Sequence, residues 1–210
     1  MGGKSGYIGV SLKLILIYSM RNFLFTWFLL LPFASLVIGQ DQIQWLTWEQ
    51  ALEKNKIEKR KIIVDVYTQW CTWCKKMDQR TYRRPEIVEQ INQEFYAIKF
   101  DAEQKEDIIF NNKIYKYVSS FGMKGYHELA QEIMNGRMSY PTTVFIDEDL
   151  NVIQPIPGFQ GSITFKMILD YFSGNFYTHT PWHKFEKGYQ QKNAITPKAI
   201  QPTVQPVNNN

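Results

Sequence analysis

Cys71 and Cys74 are the only cysteines among 210 residues, and just Thr72 and Trp73 stand between them. A pair at this spacing can be a reactive dithiol, half of a metal site or a small structural staple. As a staple it would close a ring of four residues, and the loop-closure entropy of so short a ring is small beside that of a bridge spanning tens of residues. As half of a zinc site it needs two more ligands, for which His179 and His183 are the candidates at a His-x3-His spacing. About a hundred residues separate the two halves, against roughly 12 to 15 in compact fingers, and the aromatic context of the histidines supplies no obvious scaffold. A metal assay on the purified protein decides between these readings. As a dithiol the pair needs a thiolate, because the thiolate attacks disulfides and the thiol does not.

The elements around the pair suit that chemistry. "KIIVDVY" is a β-branched run fit for a strand buried on both faces. "CKKMDQRTY" carries good helix formers and no Gly or Pro. Cys71 is thereby predicted at a helix start, where unsatisfied backbone N–H groups and the positive end of the dipole favour an anion. Lys75 and Lys76 add positive charge in the first turn. Cys71 is therefore the attacking thiol, and Cys74, one turn on and on the more covered side, the resolving one. The resolving thiol must lose a proton. Asp65, a single acid in an apolar strand, is a candidate acceptor if burial raises its pKa; the alternative is a strand-end residue on a solvated face.

Elsewhere, Thr47 and Gln50 read as a capping box opening a helix through "WEQALEKNKIEK". Pro85 opens a second helix with Ile87, Val88 and Ile91 on one face, and "YAIKFDAE" is a second strand. "DIIF" and "KIYKYV" around Asn111-Asn112 predict a hairpin, and "YHELAQEIMN" a short helix ended by Gly136. "TTVFID" and "NVIQPI" make an antiparallel pair, followed by a helix from Ser162 to Phe172. His127 is expected to cap or decorate a helix surface, and Lys59-Arg60-Lys61 to be a solvated helix end. Strands alternating with helices predict an α/β sheet covered on both faces. From Ser173 the chain reads as aromatic and irregular, and residues 193–210 as a disordered tail.

Arg21 ahead of an apolar run from Phe23 to Ile38, then small or polar residues, is a secretory signal pattern over residues 1–39, with Met20 as an alternative start. The expectation is an exported, periplasmic or extracellular protein, touching membrane only through that segment if it stays uncleaved. Without the three basic residues of the leader the chain carries 21 Lys+Arg against 20 Asp+Glu. That near neutrality leaves no basic stripe for nucleic acid. With 44% apolar and 15% aromatic residues, residues 40–192 can bury the core of one domain.

"VDVYTQWCTWCK" resembles the active-site segment of the thioredoxin superfamily, in which an acid six residues before the first Cys, a Trp directly before it and a Lys directly after the second recur together. The match implies those roles for Asp65, Trp70, Cys71, Cys74 and Lys75. "SYPTTVFID" resembles the family's cis-proline loop, which implies a cis Pro141 with the Tyr140 backbone pairing to an extended substrate segment. "PGFQG" matches the turn before the family's last helix. The resemblance covers about Thr47 to Phe172 and implies a central mixed sheet with helices on both faces. Thr72-Trp73 departs from thioredoxin itself and resembles the W-C-x-W-C-K group of exported thioredoxin-like proteins, which leaves reductant or oxidant open. Residues 103–139 exceed the minimal fold and read as an inserted hairpin and helix near the active-site edge. Trp70 and Trp73 are expected to form a partly exposed apolar platform for partner proteins, extended by Tyr126, Tyr140 and Phe159. The implied function is an oxidoreductase that reduces protein disulfides, served by an unidentified electron donor or acceptor and needing no cofactor beyond the dithiol; the alternatives are a disulfide oxidant or isomerase, or a non-catalytic thioredoxin-fold binding module.

Overall fold

In the computed structural model, which describes residues 42–120 and 123–195, the short strand β1 (Trp45–Leu46) leads into helix α1 (Trp48–Ile57). The predicted capping box is present. The Thr47 hydroxyl accepts the Gln50 amide at 3.3 Å, and the Gln50 side chain accepts the Thr47 amide at 3.0 Å. A cap of this kind contributes about 1 kcal/mol. β2 (Lys61–Tyr67), α2 (Thr72–Arg80), α3 (Pro85–Glu94) and β3 (Phe95–Asp101) then follow the sequence pattern closely.

Between β3 and the last strands lie two hairpins and a helix, where the sequence predicts one hairpin. β4 (Ile108–Phe110) and β5 (Lys113–Tyr115) turn through Asn111 and Asn112, whose φ values of 50° and 61° are those asparagine tolerates. The strand does not run on through "KIYKYV". At Lys116 the backbone turns to Glu128, donating to its Oε2 at 2.8 Å and accepting its amide at 2.9 Å. β6 (Tyr117–Ser120) then pairs with β7 (Met123–His127), so α4 (Glu128–Ile133) starts two residues later than its sequence suggests.

His127 caps α4, accepting the Leu129 amide on Nδ1 at 3.2 Å, but it is fully buried and does not decorate a surface. Its Nε2 lies 3.0 Å from the Glu106 carbonyl. A ring that accepts on one nitrogen and donates from the other is the neutral imidazole. Burial holds the His127 pKa below its usual value, against the pull of the Glu106 carbonyl and the Glu128 and Asp107 carboxylates. The folded state thus binds this proton less readily than the unfolded chain, and stability falls as pH drops below the unfolded value of about 6.5. His127→Asn keeps a capping oxygen and is expected to flatten the loss of melting temperature between about pH 7 and pH 5. An unchanged slope would refute the assignment.

β8 (Thr142–Ile146) and β9 (Val152–Pro157) form the predicted antiparallel pair. The sheet order is β1-β3-β2-β8-β9, parallel among the first three strands and antiparallel beyond. Side chains alternate across β2. Ile62, Val64 and Val66 join a core with Trp48, Phe100, Leu129 and Ile133; Ile63 joins the opposite core with Met77, Ile87, Ile91, Phe165 and Phe172. This is the α/β sheet covered on both faces, with α2, α3 and α5 (Ser162–Ser173) on the second face. Asp65 shares the parity of Ile63 and so faces α2.

Three expectations are corrected. The segment after Ser173 holds a 3-10 turn (Phe176–Thr178) and helix α6 (Trp182–Ile195). Its aromatic density reflects the helix's packing face: Trp182, Phe185 and Tyr189 fall at i, i+3 and i+7, and the first two rest on Tyr171. Asn193 to Ile195 close that helix; the rest of the expected tail, like the leader 1–39, lies outside the described residues. Lys61 is buried in β2 rather than solvated on a helix end, because its ammonium meets Glu148 at 2.7 Å, while Lys59 reaches Asp149.

Candidate active site

After β2 the chain turns through Thr68, whose carbonyl accepts the Cys71 amide at 3.1 Å. Cys71 is the N-cap residue of α2, with an extended backbone (φ −72°, ψ 103°), and its Sγ accepts the Cys74 amide at 3.0 Å. The sulfur thus takes the place of a capping oxygen and receives an N–H that the helix cannot satisfy internally. That donor, with the positive end of the helix, favours a thiolate. Cys74 is bonded to Cys71 as a disulfide, with Cα atoms 5.3 Å apart. The two residues are 4% and 3% exposed, so cover does not distinguish them as the sequence suggests. Their backbone positions do. Lys75 is exposed near the start of α2, whose first turn carries no acidic residue.

Trp70 and Trp73 are half exposed and lean on different elements. The Trp70 ring meets Tyr140 edge-on at 5.9 Å, and Trp73 packs on Phe159 at 5.6 Å with the Lys76 ammonium over its face. The bond between Tyr140 and Pro141 is cis, as the resemblance implies. Burial, with Glu103 and Asp101 nearby, pushes the Tyr140 hydroxyl up to about 12, so the phenol stays neutral. Among the described residues Tyr126, on β7, makes no ring contact with this platform.

Sequence reasoning missed the clamp behind Trp70. Its Nε1 donates to Glu103 at 2.8 Å, Gln69 donates to Asp101 at 3.0 Å, and the Ala102 amide donates to the Tyr67 carbonyl at 2.8 Å. Residues 101–103, at the root of the 103–139 segment, therefore hold the loop that carries the first cysteine.

Asp65 is 2% exposed, which decides for the buried reading. Its Oδ2 accepts the Lys99 ammonium at 2.5 Å and its Oδ1 the Tyr82 hydroxyl at 3.2 Å; Tyr82 lies 3.3 Å from the Thr143 hydroxyl. Strand register explains the company, since Lys99 on β3 and Thr143 on β8 are the direct cross-strand partners of Asp65. Lys99 also pairs with Asp78, one turn beyond Cys74 on α2, and the rings of Trp45, Tyr67 and Tyr82 surround its ammonium. Burial raises the Asp65 pKa against the lowering effect of Lys99. For Lys99 burial pulls down, but Asp65 and Asp78 together hold the pKa above its usual value. A cleft of about 620 Å³, lined by Trp45, Asp78, Tyr82 and Lys99 among others, opens beside the pair. The available signal was a lone acid in the strand read as buried and a lysine in the second predicted strand. Tyr82 and Asp78 carried no such signal.

Among the described residues no three His, Cys, Asp or Glu side chains gather as metal ligands. His179 ends the 3-10 turn and His183 lies in α6.

A family profile described as Thioredox_DsbH, protein of unknown function, DUF255, matches residues 35–164. Uncharacterized protein B0495.5 of Caenorhabditis elegans is 27% identical over 172 residues, covering 78% of this chain and 20% of that protein. Spermatogenesis-associated protein 20 of Homo sapiens is 27% identical over 76 residues, covering 36% of this chain and 9% of its own. The chain thus spans a fifth or less of these relatives' length. Among solved structures, "DsbH Oxidoreductase" is similar with a TM-score of 0.47 at 18% identity, covering 66% of this chain and 89% of its own. A thioredoxin-fold protein from Helicobacter pylori gives 0.49 at 19%, covering 65% and 84%. A putative disulphide-isomerase from Bacteroides thetaiotaomicron gives 0.47 at 18%, covering 67% and 97%.

Proposed function

The chain belongs to the Thioredox_DsbH family, and from that premise we propose that it is an exported thiol–disulfide oxidoreductase that reduces disulfides of protein substrates. The observation that carries this reading is the Cys71–Cys74 pair at the head of α2, its first sulfur held in the N-cap hydrogen bond. In the reduced protein the Cys71 thiolate attacks a substrate disulfide, and the substrate's far sulfur leaves and takes a proton. The Cys74 thiolate then attacks Cys71 Sγ, releasing the second substrate sulfur and closing the Cys71–Cys74 bond. Asp65 accepts the proton of Cys74, and Lys75 adds positive charge beside the thiolates.

Trp70, Trp73 and Tyr140 offer an apolar platform to the substrate, and the backbone before Pro141 pairs with an extended segment. The redox currency is the dithiol itself, so this cycle calls on no nucleotide or metal. It needs an electron donor to regenerate the dithiol. Export rests on the sequence pattern of residues 1–39; among the described residues no helix is long and apolar enough to cross a membrane.

Cys74→Ser in the full chain is the test. It is expected to accumulate mixed disulfides through Cys71, which a small thiol releases; their absence with every protein disulfide offered would sink the reading. Direction follows from the equilibrium of the pair with glutathione. A potential near about −270 mV supports reduction, and one near about −120 mV makes the protein an oxidant.

A further inference from the structure

The two oxygens of Asp65 keep unlike company: Oδ2 faces the Lys99 ammonium at 2.5 Å, and Oδ1 faces the Tyr82 hydroxyl at 3.2 Å. An ammonium has three donors and nothing with which to accept. A proton arriving at the carboxylate cannot settle on Oδ2 without displacing Lys99. On Oδ1 it meets a hydroxyl, which both donates and accepts. We infer that Tyr82 is a positioning residue for Asp65, a reversible hydroxyl that donates to the carboxylate and turns to accept from the carboxylic acid. The inference rests on the exchange chemistry proposed above and deepens the part of Asp65 in it.

Two further contacts support the turn. Thr143 Oγ1 lies 3.3 Å from the Tyr82 oxygen, and either can donate to the other. With Asp65 charged, the bonds run from Thr143 to Tyr82 to Asp65; with Asp65 protonated, they run back from Asp65 to Tyr82 to Thr143. Meanwhile Trp45 and Phe165 meet the Tyr82 ring edge-on, both at 5.4 Å, so the ring stays and only the O–H bond rotates. The charged or titratable groups around this cluster are Lys99 on β3, Asp78 on α2 and Tyr67 on β2 itself, and the dithiol lies at the head of the helix that carries Asp78. Asp78 shares Lys99 with Asp65, so the ammonium keeps a charged partner when Asp65 is protonated.

In the resolving step Cys74 S–H yields its proton to Asp65 Oδ1. The thiolate so formed attacks Cys71 Sγ, and the departing substrate sulfur takes a proton from solvent. Asp65 afterwards returns its proton to water in the adjoining cleft, which restores the first hydrogen-bond order.

Tyr82→Phe in the full chain removes the hydroxyl and keeps the ring. A bond to a carboxylate is stronger than one from a neutral acid, so the Asp65 pKa is expected to rise by about half to one pH unit. The carbon-13 carboxyl shift of Asp65 in the oxidised protein reads this without any exchange activity. The acid limb of the pH profile for resolution should move up by the same amount, and Thr143→Val should move both in the same direction by less. A merely structural tyrosine would lower the melting temperature and leave the titration in place. An Asp65 titration in Tyr82→Phe that superposes on the wild-type curve overturns the inference. A shifted titration in a protein that traps no mixed disulfide leaves Tyr82 in this role and sinks the proposed function instead.

Discussion

Cys71→Ser is expected to lower disulfide exchange at least about a thousandfold, the scale on which enzymes lose turnover without their nucleophile. The fold should survive the change. Cys71 is the N-cap of α2, its Sγ accepting the Cys74 amide, and serine is among the best residues at that position. Losing the bridge costs at most about 2 kcal/mol by loop-closure entropy, because the ring has only four residues. Loss of activity with an intact circular dichroism spectrum therefore reports chemistry and not unfolding. Cys74→Ser should behave differently, keeping the first attack at close to the wild-type rate in a single turnover and failing only to resolve. Were Cys71→Ser to form mixed disulfides while Cys74→Ser did not, the roles assigned from the helix geometry would be reversed.

Asp65→Asn is expected to slow resolution about a hundred- to ten-thousandfold near neutral pH, the usual worth of a positioned base, without lowering stability there. The sign follows from the direction of its pKa. Burial raises the folded value above that of the unfolded chain, so the stability linked to Asp65 is present below about pH 4 and is lost as pH rises through the folded value. At neutral pH the ionised side chain is a load on the fold. Asparagine removes that load, while Lys99 keeps Asp78 as its partner. Lys99 has the raised pKa of a paired amine, so its contribution persists until the pH passes above its own titration.

Melting curves from about pH 4 to pH 8 should accordingly slope less in Asp65→Asn than in the wild type. A variant that is less stable at neutral pH and resolves at the wild-type rate would make Asp65 a structural ion-pair partner only.

Much of the architecture was readable from neighbouring residues. The Thr47 cap, the β2 and β3 strands, the Asn111-Asn112 turn and the helix opening at the cysteines all rest on periodicity or on residues within four positions of each other. Where two local signals overlapped, the sequence misled. "KIYKYV" reads as one strand until Glu128 draws Lys116 out of the ladder, and His127 looks like a surface cap until β3 and the Glu106 carbonyl enclose it. The rings of α6 look irregular without Tyr171 to pack on.

The chain order alone determined the cysteine pair, its strand-to-helix junction and the lone acid on the preceding strand, since these depend on residue type and on i to i+4 spacing. Only the tertiary structure decided the acid's environment. Lys99 stands 34 residues from Asp65, and Glu103 stands 33 from Trp70. Such partners meet through strand register and the packing of α2 on the sheet, which couple residues with no shared local pattern.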